Sequence, residues 1–350
     1  MSRAWPFRFS LFLSLPVSLA ITGCQSSTAP NTDGLKIGAY SVVREVLHDG
    51  VLPAFKAKWK AKTGRDVAFE ESYNASGAQA RSISSGFDAD VAVLSHSGDM
   101  ELLVKAGKVK PDWNAGEYKG ILTNSLVVIG HREGNPKSIH DWSDLAKSGV
   151  GVLYPDPKTS GGARWNINAI YGAALLEARD KNKEAPNLAP VREIMAAIQA
   201  NVVNMDQSGR QSMANFSERK TGDAVVTYEN ELLLRAKEGD AIPYVVPPAT
   251  LLIESPVAVV DESTAKHGNK ELVAAFIEFL YSTEGQTIFA EYGFRPVNKE
   301  AAAAISARPA PARLFTTADL GGWAKLEEEL YSTKGLWTTI AAERAQNRGK

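Results

Sequence analysis

The stretch "YPDPKTSGGARWN", Tyr154 to Asn166, decides how this chain is read. Ahead of it Val150, Val152 and Tyr154 alternate as a strand does, and Ala163, Ile167, Ile170 and Ala174 recur at helical spacing. Between strand and helix, Pro155 and Pro157 break the backbone, and Ser160, Gly161 and Gly162 fill the turn. A helix start carries four N–H groups without intrahelical acceptors and the positive end of the helix dipole. Such ends bind anions. Paired glycines let the chain approach an anion closely, and a serine hydroxyl adds a donor.

The same arrangement recurs along the chain. Leu35, Ile37 and Ala39 alternate, break at Tyr40 and Ser41, and lead into an amphipathic stretch through Val43, Val46, Leu47, Phe55 and Trp59 that Gly64 ends. Val67 and Phe69 precede "YNASGAQARS", where Ser76 and Gly77 occupy the turn before a short helix through Ile83 and an apolar strand from Val91 to Leu94. Val202 and Val203 precede "NMDQSGRQS", with Ser208 and Gly209 in the turn, then a helix with Met213 and Phe216 and a strand from Ala224 to Thr227 running into "YENE". Strands alternating with helices predict an α/β fold, a mostly parallel sheet with helices on both faces. The apolar runs Ile121 to Gly130 and Leu251 to Val260 are expected to cross between two lobes. Residues 35–124 and 254–350 then form lobe I, and residues 125–253 form lobe II. Leu272, Phe276, Phe279 and Leu280 mark a later helix, and Ser282 is a cap for the next. Ile305 to Arg313 reads as a Pro-rich connector, with functionally mute helices beyond it.

For any one turn, a serine as helix cap and a glycine as turn residue is the plainer reading. Four such turns point to a shared ligand. In an open α/β sheet they lie at the carboxyl ends of the strands, where ligands collect, and an anion between two lobes can hold them closed.

The N-terminus is a separate matter. Arg3 and Arg8 flank the start of an apolar run, Leu11 to Ile21, that ends in "ITGC". Residues 1–23 therefore read as a secretion signal, too short to span a bilayer stably. "ITGC" resembles a bacterial lipobox, with Ile21 where leucine is more usual, which implies that Cys24 becomes the acylated first residue. Residues 24–34 then form a polar tether. The expected location is periplasmic or extracytoplasmic, held to a membrane by the lipid. Cys24 is the only cysteine, so no intramolecular disulfide forms. Of 350 residues, 327 remain after cleavage; the loss of two arginines and no acid takes the net charge from −1 to −3. Nothing in that balance suggests nucleic acid. The length accommodates two cores of ordinary size.

Taken together, "SYNASGAQARS", "NPKSIHDWSDL", "YPDPKTSGGARWN", "GDAVVTYENE" and "FLYSTEGQ" resemble the successive signatures of the bacterial periplasmic sulfate and thiosulfate binding proteins. The resemblance covers most of Leu35 to Asn298. It implies a two-lobed, type II periplasmic-binding-protein fold with the ligand in the cleft. It also implies a monomer without cofactor that carries sulfate or thiosulfate to the permease and ATPase of an ABC importer. The ligand in that family is held by backbone N–H groups and hydroxyls without a salt bridge. Position by position, Ser76 of "NASG" and Ser160, Gly161 and Gly162 of "TSGG" fall on the anion, and Gly209 of "QSGRQ" donates its N–H. Ser41 stands where the family usually has an acidic residue using its amide, and Tyr228 where it has a tryptophan. An indole only donates, whereas a phenol also accepts, so Tyr228 bears on selectivity. Sulfate is the expected ligand; the alternatives are phosphate or another tetrahedral oxyanion, or an anion-sensing role beside a membrane receptor.

Arg81, Arg164 and Arg210 follow the turns and either raise the local potential or pair between loops. The five histidines show no metal-ligand spacing such as H-E-x-x-H, and His131 and His140 read as solvated loop residues. Glu70 with Glu71, and Glu229 with Glu231, read as solvated faces or loop-holding acceptors. No nucleophile elbow or phosphate loop is present, so a binding protein and not an enzyme is expected.

Overall fold

The structure, a computed structural model, describes residues 32–183 and 186–348. The expected secretion signal and lipobox, with Cys24, lie outside the described residues.

Strand β1 (Thr32–Tyr40) has Leu35, Ile37 and Ala39 buried, as the alternation predicts. It begins inside the stretch expected to be a tether, because Thr32, Asp33 and Gly34 pair with Asp66, Val67 and Ala68. Asp33 also accepts the indole N–H of Trp59 at 2.8 Å, which ties that end of the strand to the body. A 3-10 turn, Ser41–Val43, and a π-helical stretch, Val46–Val51, lead into α1 (Leu52–Thr63). Gly64 ends α1 with φ 72°, a left-handed conformation that favours glycine. Next come β2 (Asp66–Asn74), α2 (Ser76–Ser84), β3 (Val91–Val93) and α3 (Ser97–Lys105). The middle of the chain supplies β4 (Ile121–His131), β5 (Val152–Leu153), α4 (Gly161–Lys181), α5 (Ala189–Asn201), β6 (Val202–Asn204), α6 (Gly209–Ser217), β7 (Ala224–Tyr228), α7 (Glu229–Lys237) and β8 (Tyr244–Val245). Then follow β9 (Ala249–Val259), α8 (Asp261–His267), α9 (Lys270–Tyr281), α10 (Thr283–Glu291), β10 (Arg295–Pro296), α11 (Lys299–Ala303), β11 (Arg313–Phe315), α12 (Trp323–Leu326) and α13 (Leu336–Arg348).

The strand order β2-β1-β3-β9-β4-β7-β5-β6 explains the architecture. β1 lies parallel to β2 and β3, and β5 lies parallel to β6 and β7. Between these parallel sets run β4 and β9, antiparallel to each other, with Ser125 opposite Ile253. Each of these long strands changes partner along its length. β4 pairs with β9 as far as Leu126 and with β7 from Val127, while β9 turns to β3 from Val257. Their apolar runs are long because both ends of each strand are buried in the sheet.

One expectation is corrected. The strand expected over Val150 to Tyr154 shrinks to Val152–Leu153. Tyr154 precedes a proline, and Pro155 has no N–H to extend the ladder. The C-terminal segment packs on the middle of the chain. Phe315 sits so close to Gly172 of α4 that a Cβ there would meet its ring at 2.4 Å, and Glu343 of α13 pairs with Arg192 of α5 at 2.6 Å. Trp337 and Ile340 of α13 bury their apolar surface in the process.

Candidate anion-binding site

Three helices start at one small cavity. Ser76 opens α2, Ser160 immediately precedes α4 and Ser208 precedes α6, while the 3-10 turn at Ser41 closes a fourth side. Ser41, Ser76, Ser160, Gly162, Gly209 and Tyr228 all line the cavity, as do Asn166, Ser208 and Thr227, and none of its lining residues is charged. Its volume is ≈ 20 Å³. A water needs roughly 10–15 Å³ of such space, so the cavity is small.

The serines at these helix starts do different things. Ser208 is an ordinary cap, its hydroxyl accepting the Gln211 N–H at 3.2 Å. Ser160 caps nothing. Its own N–H is spent on Asp156 O at 2.9 Å, and its hydroxyl makes no hydrogen bond among the described residues. The Ser76 hydroxyl is turned away, donating to the Asp99 carboxylate at 2.5 Å and accepting the Ser95 N–H at 2.9 Å. Ser76 therefore offers the cavity its backbone N–H and not its side chain. The N–H groups of Ser76, Gly162 and Gly209 make no hydrogen bond outside their own helices among the described residues.

Gly161 is not on the cavity wall. A Cβ there would lie 2.8 Å from Ser95 Cβ and 2.9 Å from His96 Cδ2, so only glycine lets α4 begin against the loop that precedes α3. Tyr228 ends β7 with its hydroxyl beside Gly162, and that hydroxyl is hydrogen-bonded to Ser95 Oγ at 2.7 Å. Burial pushes the Tyr228 phenol far above its ordinary pKa, so it keeps its proton at any physiological pH.

Arg164 and Arg210 pair with acids from other elements, whereas Arg81 makes no ion pair among the described residues. Arg210 reaches Glu45 at 2.5 Å and Glu231 at 3.3 Å. Burial raises the pKa of the Glu231 carboxyl while the nearby guanidinium opposes the rise. Arg164 lies over the Tyr331 ring at 4.6 Å and pairs with Glu327. Glu229 and Glu231 are fully buried, not solvated; Glu229 holds Arg295 through bonds of 2.6 and 2.8 Å. His131 is likewise buried, at the end of β4, with Nδ1 2.9 Å from Arg132 O. His96 stacks on Trp323 of the C-terminal segment, centroids 4.2 Å apart. Burial lowers the His96 pKa and leaves the ring neutral. Among the described residues no group of His, Cys, Asp and Glu is arranged to hold a metal ion, and no helix is long and apolar enough to cross a membrane.

Two contributors escape the sequence patterns used above. Asn166 lies on the cavity wall, its amide donating to Val226 O at 2.8 Å. Ser95 belongs to "LSHSGD", another serine-glycine turn between a strand and a helix, and the recurrence of that pattern was the available signal. A larger cavity of ≈ 590 Å³, lined by Asp33, Lys36, Trp59 and Arg65 among others, lies at the start of β1. Ligands collect at the other ends of such strands, and none of the helix starts lines it.

Residues 49–295 match the model of a family described as bacterial extracellular solute-binding protein. A sulfate-binding protein of Synechococcus elongatus is 36% identical over 351 residues, covering 97% of this chain and 98% of the relative. A thiosulfate-binding protein of Pseudomonas aeruginosa is 32% identical over 332 residues, 93% of this chain and 96% of the relative. Among solved structures, the sulfate-binding protein SubI from Mycobacterium tuberculosis H37Rv superposes with a TM-score of 0.77 at 37% identity, covering 86% of this chain and 100% of that one. The fold is accordingly that of a type II, two-lobed periplasmic binding protein.

Proposed function

This chain belongs to the bacterial extracellular solute-binding proteins, and from that premise we propose that it captures sulfate as the substrate-binding component of an ABC importer. One observation carries the ligand class: three helix starts and a 3-10 turn converge on a cavity without a charged side chain. Helix dipoles and unpaired amides supply the positive potential there. A fully ionised tetrahedral oxyanion needs donors alone, and the Ser160 hydroxyl, the Tyr228 phenol and the N–H groups of Ser41, Ser76, Gly162 and Gly209 are the proposed set. Each charge-assisted hydrogen bond contributes about 1.5–3 kcal/mol net, and micromolar binding requires about 8 kcal/mol. A set of this size is sufficient even after desolvation. The named relatives and SubI support sulfate or thiosulfate over other oxyanions.

The lobes are proposed to meet at the β4/β9 pair, with the division at Ser125 and Ile253, the anion lying in the cleft and drawing them together. Residues 313–348 then travel with the second lobe, because they pack on α4 and α5. The protein is proposed to act as a monomer, tethered to the membrane by a lipid on Cys24, and to hand its ligand to a permease coupled to an ATPase. Its role is binding, not turnover.

Titration calorimetry of the purified protein with sulfate, thiosulfate, phosphate and molybdate tests the reading. Micromolar or tighter binding of sulfate or thiosulfate is expected, with phosphate weaker. Phosphate binding more tightly than sulfate would overturn it.

A further inference from the structure

Behind the cavity wall runs a chain of three buried side chains. The Trp165 indole N–H reaches both Ser95 O at 2.9 Å and Ser95 Oγ at 3.1 Å, and Ser95 Oγ lies 2.7 Å from the Tyr228 hydroxyl. Trp165, Ser95 and Tyr228 are 0%, 1% and 3% exposed, so little bulk water competes for these bonds. An indole N–H can only donate, whereas a hydroxyl has one proton and two acceptor positions. The Ser95 oxygen therefore accepts from Trp165, and its single proton is available to Tyr228. When that proton rests on the phenol oxygen, the phenol's own proton is left for a third partner. The Tyr228 hydroxyl stands beside Gly162, on the cavity wall.

We propose that Ser95 is a positioning residue that fixes the direction of this chain, Trp165 to Ser95 to Tyr228 to anion, and so makes the phenol a donor toward the ligand. The inference rests on the oxyanion reading above and deepens it. Ser95 occupies the acceptor capacity through which Tyr228 would otherwise welcome a protonated oxyanion. Aligned hydroxyls also polarise one another, which strengthens the last donor in the row. A hydrogen phosphate, whose own O–H needs an acceptor, then meets a donor at this wall and loses about one hydrogen bond relative to sulfate. Ser95 thus serves selectivity without touching the ligand.

The test is the ratio of sulfate to phosphate affinity, measured by calorimetry at pH 5.5 and 8 on the full-length protein. Ser95→Ala should move that ratio toward phosphate by about tenfold, the worth of one buried hydrogen bond, and by more at the lower pH, where phosphate carries more protons. Tyr228→Phe should weaken both anions, and adding Ser95→Ala to it should leave the ratio within about twofold of the single variant, since no phenol remains to be oriented. A purely structural role for Ser95 would weaken both anions alike and leave the ratio unchanged, which overturns the proposal. If Ser95→Ala fails to fold, Trp165→Phe carries the same prediction, because it removes the donor at the head of the row and keeps Ser95; an unmoved ratio there overturns it as well. A wild-type protein that already binds hydrogen phosphate as tightly as sulfate also overturns it, and points to Asn166 Oδ1, a buried acceptor without a partner among the described residues, on the same cavity-lining residue. Binding of neither anion by the wild type removes the oxyanion reading itself, whereas sulfate preference with an unmoved ratio removes only the role of Ser95.

Discussion

Ser160 and Ser208 stand at equivalent points, one residue ahead of α4 and α6, yet only Ser208 caps its helix. The two serines should therefore fail differently when truncated. Ser160→Ala is expected to weaken sulfate binding by roughly ten- to a hundredfold, the value of a bond to a charged group, while the melting temperature of the ligand-free protein stays put. Ser208→Ala should lower stability by about 1 kcal/mol, the usual worth of a cap. Calorimetry and thermal melting separate the two effects, and unchanged affinity in Ser160→Ala would take that hydroxyl off the ligand. The positions of these turns were legible in the sequence, because each interrupts a strand pattern with serine and glycine before a helical one begins. Which hydroxyls are free was not legible. The Ser76 side chain is claimed by Asp99, and the Tyr228 phenol by Ser95, 133 positions away in the chain, and no local pattern encodes such partners.

At the level of elements, α7 and β10 are joined by one buried ion pair. Glu229 is 0% exposed and grips Arg295 with both carboxylate oxygens, at 2.6 and 2.8 Å. Removing one partner of such a pair leaves a buried charge without compensation. Glu229→Gln should cost about 3 kcal/mol, read as a lower urea midpoint with an unchanged slope; a midpoint within error of the wild type would show that the pair is solvated in solution. Of the two readings of the "YENE" glutamates, solvated faces or loop-holding acceptors, the sequence could not choose, because a charge carries no mark of its depth. The strands and helices themselves were readable, since β1, α2, α4 and β7 each carry their own periodicity. β5 came out shorter than its alternation suggests because the ladder depends on an N–H that Pro155 lacks. The C-terminal packing was unreadable for another reason: Trp337 and Ile340 show only that a helix has an apolar face, not which surface will cover it.

For the molecule as a whole, His267 ties α8 to the entry of β3. Its Nδ1 lies 2.8 Å from Asp90 and its Nε2 3.0 Å from Asp88. The hydrogen bond to Asp90 foremost, then that to Asp88, raises the pKa of the ring above the ordinary 6.5. A raised histidine contributes stability that is fully present below its ordinary value and is lost as the pH climbs through the folded value. Asp88 behaves oppositely. Lys36, then Lys266 and His267, hold its carboxyl well below the ordinary 3.8, so its contribution stands above that value and fades only in strong acid. The difference in melting temperature between the wild type and His267→Gln should therefore be largest near about pH 6 and shrink as the pH is raised through the histidine range. A difference that grows with pH would mean the ring is neutral when folded. A last consequence follows from the C-terminal helix docking on α5 while β1 begins beside β2. On the lobe division proposed above, the two extremities of the described chain fall in opposite lobes. A donor fluorophore attached ahead of β1 and an acceptor placed after α13 would report the seizure of an ion as a change in energy transfer, with no label inserted in the interior.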